Sequence, residues 1–413
     1  MAAEATAVTI TPQTLPVPAD ALPDTVLLRL ARLGLYVTAG ALPLYTVRWK
    51  YGPLPTTLLE TLVFVTVGTY VVARLRQGMR RPLSTVYDLP IVALLVAGAI
   101  SIVVASDHRG ALGLYRAYFL EPVALFYVAI DVLRGEGHLK RLLIGFAIGS
   151  SIFAILNLVV FYQALITNSI HVGFAPSALY GDANYVAMYM EPPFALAASV
   201  LFMGQTLRWK ALGAIWLVLT GAALVASFSK GAYLAVAVLT LVALITVPRW
   251  RLAIAVVVVA AAVAATQIPL MMARLATVIT SFNGRQEIFG ATLQMLRQKP
   301  IFGVGLGGYT YNFHGLTPEV YPHDMWLTFW VETGIAGTLA FGVILFMLLW
   351  RGWRAWPHAA GFERVVLWGA LGALMLWLVH GFVDSPYWKN DMSAEFWILA
   401  SLQVVTLRAQ GTR

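Results

Sequence analysis

The sequence predicts an all-α, polytopic membrane protein with about 12 transmembrane helices and one longer extracytoplasmic loop that carries an amphipathic helix. Three observations carry that reading. Hydrophobic residues make up 60% of the 413-residue chain and charged residues only 11%, with a mean hydropathy of +0.77, whereas soluble domains run at about 45–50% and about 25%. The apolar runs extend over about 20 residues, the length of a helical span and too long for barrel strands of about 9–11 residues. The connections between most runs are short and hold the lysines and arginines.

Taken in order, residues 1–24 contain Glu4, Asp20, Asp24 and four prolines but no basic residue, so they read as a cytoplasmic tail. A cleavable signal needs a basic start ahead of an apolar core. Transmembrane helices 1–9 are expected within 25–269, at 25–47, 53–75, 88–106, 111–133, 142–164, 185–204, 209–227, 230–248 and 251–269. An extracytoplasmic loop follows at 270–323. Helices 10–12 lie within 324–413, at 324–350, 364–382 and 392–408.

Charge sets the orientation. Sixteen lysines and arginines fall in the even-numbered connections and the C-terminus, against nine in the odd-numbered ones. By the positive-inside rule both termini are cytoplasmic. The formal net charge of +9 is dispersed along the loops rather than gathered in a stripe, which makes it topological and excludes a nucleic-acid partner. The absence of cysteine removes disulfides, thiolate nucleophiles and thiolate metal ligands. No histidine pair has metal-binding spacing, so neither a metal nor another cofactor is expected.

Four of the nine outside charges, Arg274, Arg285, Arg297 and Lys299, sit in the 270–323 loop. A long loop that keeps arginines against the topological bias is expected to use them. Within it, Arg285 to Arg297 carries Ile288, Phe289, Thr292, Leu293 and Leu296 at helical spacing, which predicts an amphipathic helix on the membrane surface, stopped by Pro300. Gly303, Gly305 and Gly308 fit GxGxxG, but they follow a helix rather than a strand, so they read as a turn with amides open to an anion.

Polar residues on the outer side supply the candidate site. His323 stands at the lip of span 10, and a ring with an ordinary pKa of about 6.5 can take a proton from a hydroxyl. Asp324 or another carboxylate would orient it. Glu332, about 13 Å deeper at 1.5 Å per residue, reads as a buried structural partner. Lys230, in SFSKG, begins a span where Ser227 or Ser229 caps the helix, and the positive helix end joins the ammonium as an anion site. Arg116 and Glu121 either neutralise each other or belong to a site. Asp182 and Asn184 in YGDANY suit a capping turn, with Asn184 also a supporting candidate. HGFVDSPYWKND places His380, Asp384, Lys389, Asn390 and Asp391 in the last outside loop beside Tyr387 and Trp388, either as a hydrated loop or as the lining of a sugar site.

The order of these motifs resembles the O-antigen ligase and Wzy-type polymerase family. PHDMWLTFWVETGIAG is similar to its His-Asn pair followed by a helix with Glu-x-Gly. RQEIFGATLQMLRQKPIFGVGLGGY is similar to its Arg, amphipathic helix and Pro-[apolar]-Phe-Gly-Val-Gly segment. SFSKGAYLA, GDANYVAMY, LYRAYFLEP and HGFVDSPYWKND also match its features, with Asp324 where Asn is usual and Lys230 where Arg is usual. The resemblance implies transfer of a glycan from an undecaprenyl-diphosphate donor to a hydroxyl of a lipid or glycan acceptor, at the outer face of the bacterial inner membrane. It also implies no metal or nucleotide. His323 would be the base and Arg285, Lys230 and Arg116 the diphosphate cations, with Asp324, His380, Asp384, Lys389 and Asn184 supporting. A secondary transporter or flippase is the rival, kept by Glu191 and Glu332, although no internal repeat supports it.

Overall fold

The structure, a computed structural model, describes residues 24–52, 54–78, 84–171, 175–313 and 319–411, with 54 and 278–284 described by backbone alone. The expected tail, apart from its last residue, lies outside the described residues. The helices are α1 (Val26–Gly40), α2 (Leu58–Arg76), α3 (Asp88–Val104), α4 (His108–Tyr115), α5 (Glu121–Val132), α6 (Glu136–Ile166), α7 (Ala183–Met203) and α8 (Leu207–Ala226). They continue as α9 (Lys230–Thr246), α10 (Arg251–Thr266), α11 (Pro269–Ala276), α12 (Val278–Gln298), α13 (Gly308–Asn312), α14 (Met325–Ala355), α15 (Gly361–His380) and α16 (Asn390–Ala409).

Every one of the expected runs contains helix, yet among the described residues only seven helices are long and apolar enough to cross a membrane. These are α2, α6, α7, α8, α10 with the turn before it, α14 and α15. The shorter α3 and α9 are also apolar. Between α1 and α2 the chain forms a small antiparallel hairpin, Arg48–Tyr51 with Leu54–Thr57. Thr57 ends it and opens α2 through a capping box with Glu60.

The stretch predicted as span 4 is one helical rod from α4 to α5 with a π turn at Arg116–Leu120, where the Glu121 amide bonds back to the Arg116 carbonyl. That register aligns residues five apart and sets Arg116 Nε 2.9 Å from Glu121 Oε1.

At the centre of the bundle, α7 is covered by α8 and α15, and α16 packs against α5 and α15. Outermost is α10, in which Ile254 alone is buried. Where α1 crosses α6, Gly145 and Gly149 bring the backbones together: a Cβ on Gly149 would run into the Gly40 carbonyl, and one on Gly145 into the Tyr36 carbonyl. Small residues four apart replace the hydrophobic drive that lipid cannot supply between helices.

Gly149→Leu is therefore expected to destabilise the protein by about 1–3 kcal/mol, as overpacking does. A thermal melt of detergent-purified protein by size-exclusion fluorescence checks this, and Gly137→Leu, at a position with open space beside it, is expected to leave the melt unchanged.

Candidate functional site

His323 sits just before α14 in the left-handed region, φ +52°. Asp324 is next to it but does not orient the ring. Its backbone is extended and its carboxylate accepts the Leu327 amide at 2.8 Å, so it is spent on capping α14.

The ring is instead held by Asp384, 3.2 Å from Nδ1, and by Glu319, 3.1 Å from Nε2. Burial alone would push the imidazole down. The hydrogen bonds and charges of the two carboxylates outweigh it and push the pKa up to about 10. At neutral pH His323 is therefore an imidazolium, not the neutral ring its ordinary pKa suggests. Burial would likewise raise Asp384, but the hydrogen bond and charge of His323, with the charge of His380, hold its carboxyl below the usual range. The two carboxylates differ in access: the Asp384 side chain is 1% exposed and that of Glu319 23%.

Asp384 gathers distant parts of the chain. Its other oxygen accepts the Asn184 amide, 200 positions away. The Asn184 carbonyl accepts the Ser229 hydroxyl. Ser229 caps α9, and the same turn presents Lys230. His380, 1% exposed, donates or accepts at 2.6 Å with Glu191, and packs on Gly231, where a Cβ would come within 2.5 Å of the ring. The 380–391 segment is thus not a hydrated loop: His380, Asp384 and Asp391 are buried. Tyr387 and Trp388 do not line a sugar site either. They pack with Phe119, Phe329 and Phe341 in an aromatic core.

Beside this network lies a group of cations. Lys230 Nζ donates to the Thr277 carbonyl and hydroxyl at 2.8 Å, and Arg274 Nε donates to the Phe228 carbonyl at 3.1 Å, which locks the α9 turn to the α11–α12 junction. Arg274 and Arg285 both lie within electrostatic reach of Lys230, and Arg285 also of His380. Three like charges drawn together are costly unless an anion joins them.

Lys389 is held in an aromatic cage. Its Nζ lies 3.2 Å from the Tyr185 ring centroid and 5.5 Å from those of Tyr45 and Tyr180, and it donates to the Tyr45 hydroxyl at 3.0 Å. Burial pushes its ammonium down to about 8. Tyr185 shares a hydrogen bond with Tyr321, whose ring lies edge-on to His323 at 5.9 Å.

Arg116 does not join the cations. Besides Glu121 it binds Glu60 at 2.9 Å, and Glu60 accepts Asn390 at 2.8 Å, so its charge is matched by two carboxylates. The helix 285–297 is the second half of α12. Its Ile288, Ala291, Met295 and Leu296 pack against Val304, Tyr309, Phe313 and Val331, so that face covers the chain's own core rather than lipid.

The glycine run has a different task from anion binding. Glu332 is buried and accepts the amides of Gly307 and Tyr309, so those donors are used. Gly334 breaks α14 (φ 72°, ψ 178°), and the 301–304 backbone fills the break: Ile335 donates to the Ile301 carbonyl at 3.0 Å and Val304 to the Val331 carbonyl at 2.7 Å. A Cβ on Gly303 would strike the Val331 carbonyl. A broken membrane helix is tolerated when other backbone satisfies it, as here.

Sequence reasoning missed Glu319, the cation Arg274 as a member of the group, and the Tyr185–Tyr321 pair. Glu319 lies four residues before His323, a weak signal that only the left-handed turn makes meaningful.

Residues 214–342, under a third of the chain, match the family described as O-antigen ligase. The matched segment runs from α8 through the cations and His323 into α14, and it supports the O-antigen ligase and Wzy family for this chain. Comparison with curated proteins finds no match.

Because His323 is raised above its unfolded value near 6.5, its ion pairs contribute stability that is complete below about pH 6.5 and lost as pH rises through about 10. Thermal melts from pH 6 to pH 10 are expected to fall for the wild type and to fall less for Glu319→Gln and His323→Gln. Equal slopes in all three would contradict the charged ring.

Proposed function

We propose that the protein is a membrane glycosyltransferase that moves a glycan from an undecaprenyl-diphosphate donor to an acceptor hydroxyl at the outer face of the inner membrane. The observation that carries this reading is the convergence of Ser229, Asn184, Asp384, His323 and Glu319 into one chain of hydrogen bonds beside the cations Lys230, Arg274 and Arg285. An acid–base pair next to an anion site is what attack on a diphosphate-linked sugar requires.

In the proposed step the acceptor hydroxyl enters at the accessible carboxylate of Glu319. His323, charged and fixed from behind by Asp384, positions Glu319 through its other ring nitrogen, and Glu319 takes the proton of the hydroxyl. The acceptor oxygen bonds to the anomeric carbon as the bond from that carbon to the diphosphate oxygen breaks, with inversion. The electron pair leaves on the diphosphate, whose growing charge is met by Lys230, Arg285 and Arg274. In this reading the cations take the part a metal would otherwise play in neutralising the leaving group, and the proposed reaction needs none. Arg116 supports the fold through Glu60 and Glu121 rather than binding diphosphate. The break in α14 does not favour a transporter, since the chain's own backbone occupies it.

Reconstitution with a polyprenyl-diphosphate oligosaccharide, alone and then with a lipid acceptor, tests the proposal. Growth of glycan chains from donor alone makes the protein a polymerase, and transfer only after acceptor is added makes it a ligase. Absence of product in both overturns the reading. His323→Ala, at unchanged protein level in the membrane, is expected to lose at least about a hundredfold in rate, as removal of a positioned acid–base group does. Arg285→Lys, which keeps charge but loses the bidentate fork, is expected to lose about tenfold, and EDTA is expected to have no effect.

A further inference from the structure

At the end of α14 away from His323, a groove of about 620 Å³ opens between the last turn of that helix, the 356–358 turn and the end of α16, lined by Trp350, Arg351, Arg354, His358, Leu407 and Gln410. Its volume lies in the range of ligand pockets. The Arg354 guanidinium stacks over the Trp350 ring at 4.7 Å, and Trp350 stacks on Phe346 with centroids 6.1 Å apart and planes 16° apart. Among the described residues no carboxylate forms an ion pair with Arg354 or His358. Glu363 meets the lining only through Gln410, which donates to it at 3.2 Å.

A second feature leads into the same groove. Leu339, Val343, Phe346, Trp350 and Trp353 are all exposed large apolar residues, spaced alternately four and three apart. That spacing places them on one stripe of α14 that descends to Arg354. An apolar track that ends in tryptophan and then in cations has the order of a lipid: acyl chain, interface, phosphate.

We propose that this groove binds an anionic phospholipid, with the headgroup phosphate between Arg354 and His358, Arg351 contributing from the wall, and an acyl chain along the Leu339–Trp353 stripe. Trp350 joins the two halves. It continues the apolar stripe and carries the guanidinium that meets the phosphate. The site is separate from the His323 network and does not depend on the proposed transfer reaction.

Native mass spectrometry of the full chain, released from nanodiscs of equal phosphatidylglycerol and phosphatidylcholine, tests it. The wild type is expected to retain one phosphatidylglycerol in preference to phosphatidylcholine. Arg354→Gln combined with His358→Gln is expected to reduce that retention at least about fivefold, the equivalent of about 1 kcal/mol for one arginine near a membrane surface. Arg249→Gln, at a basic residue outside the groove, is expected to retain it as the wild type does. Equal retention of both lipids, or undiminished phosphatidylglycerol on the double variant, overturns the proposal. Displacement of the lipid by millimolar inorganic phosphate also overturns it, by making the groove a site for free phosphate rather than lipid.

Discussion

Asp384 is a carboxylate buried at the end of an apolar bundle, and the residues around it are arranged to make its charge tolerable. An unpaired carboxylate there would cost several kcal/mol. It is met by the His323 ring, the Asn184 amide and the Ser385 amide, with His380 within electrostatic reach. His323 and Asn184 come from separate elements, and Asn184 passes the link on to Ser229, so satisfying one charge ties α7, α9 and the entrance of α14 to the turn after α15. The same contacts set the ring of His323 with one nitrogen turned inward and the other toward the accessible Glu319.

The electrostatics on the two sides of this network are opposite. Toward the bundle interior the acids Glu191, Asp384 and Asp391 each find a donor: His380, His323 and Tyr180. Toward α11 and α12 stand the cations Lys230, Arg274 and Arg285, and hydrogen bonds to the Thr277 and Phe228 carbonyls hold the first two in place. In the proposed reaction this is the group that a leaving diphosphate would meet.

Much of this was legible because a polar residue in an apolar sequence stands out. His323, Lys230, Asn184, His380 and Asp384 could be singled out one at a time, and the helical runs were visible from hydropathy alone. Their grouping was not visible, because a hydrogen bond between Asn184 and Asp384 has no local period to betray it. Adjacency misled at Asp324, where the helix amides compete for the carboxylate and win over the neighbouring ring. The resemblance placed Arg116 among the diphosphate cations, but Glu60, from the hairpin's capping box, takes up the surplus charge. Among the described residues seven helices have the length and apolarity of a span, against the 12 expected: α1 and α3 are short, and α16 holds Asp391, Glu395, Gln403 and Arg408 in a helix buried by its neighbours. Glu319 carried only the weak signal of lying four residues before His323.

The break at Gly334 connects these parts. It separates a short half-helix, which carries His323 and Asp324 at its entrance, from the long apolar remainder of α14. The open backbone groups at the break are taken by residues 301–304, and the glycines there allow main chain to approach main chain without a Cβ between. Glu332, inside the half-helix, then fastens the following turn through the Gly307 and Tyr309 amides. That segment leads directly out of α12, which carries Arg285, and the apolar face of α12 rests on Val331. The distance between the arginine and the histidine is therefore governed by one helix break and its filling. A continuous α14 would leave the Ile301 carbonyl and the Val304 amide without their partners, and α12 with no fixed place beside His323.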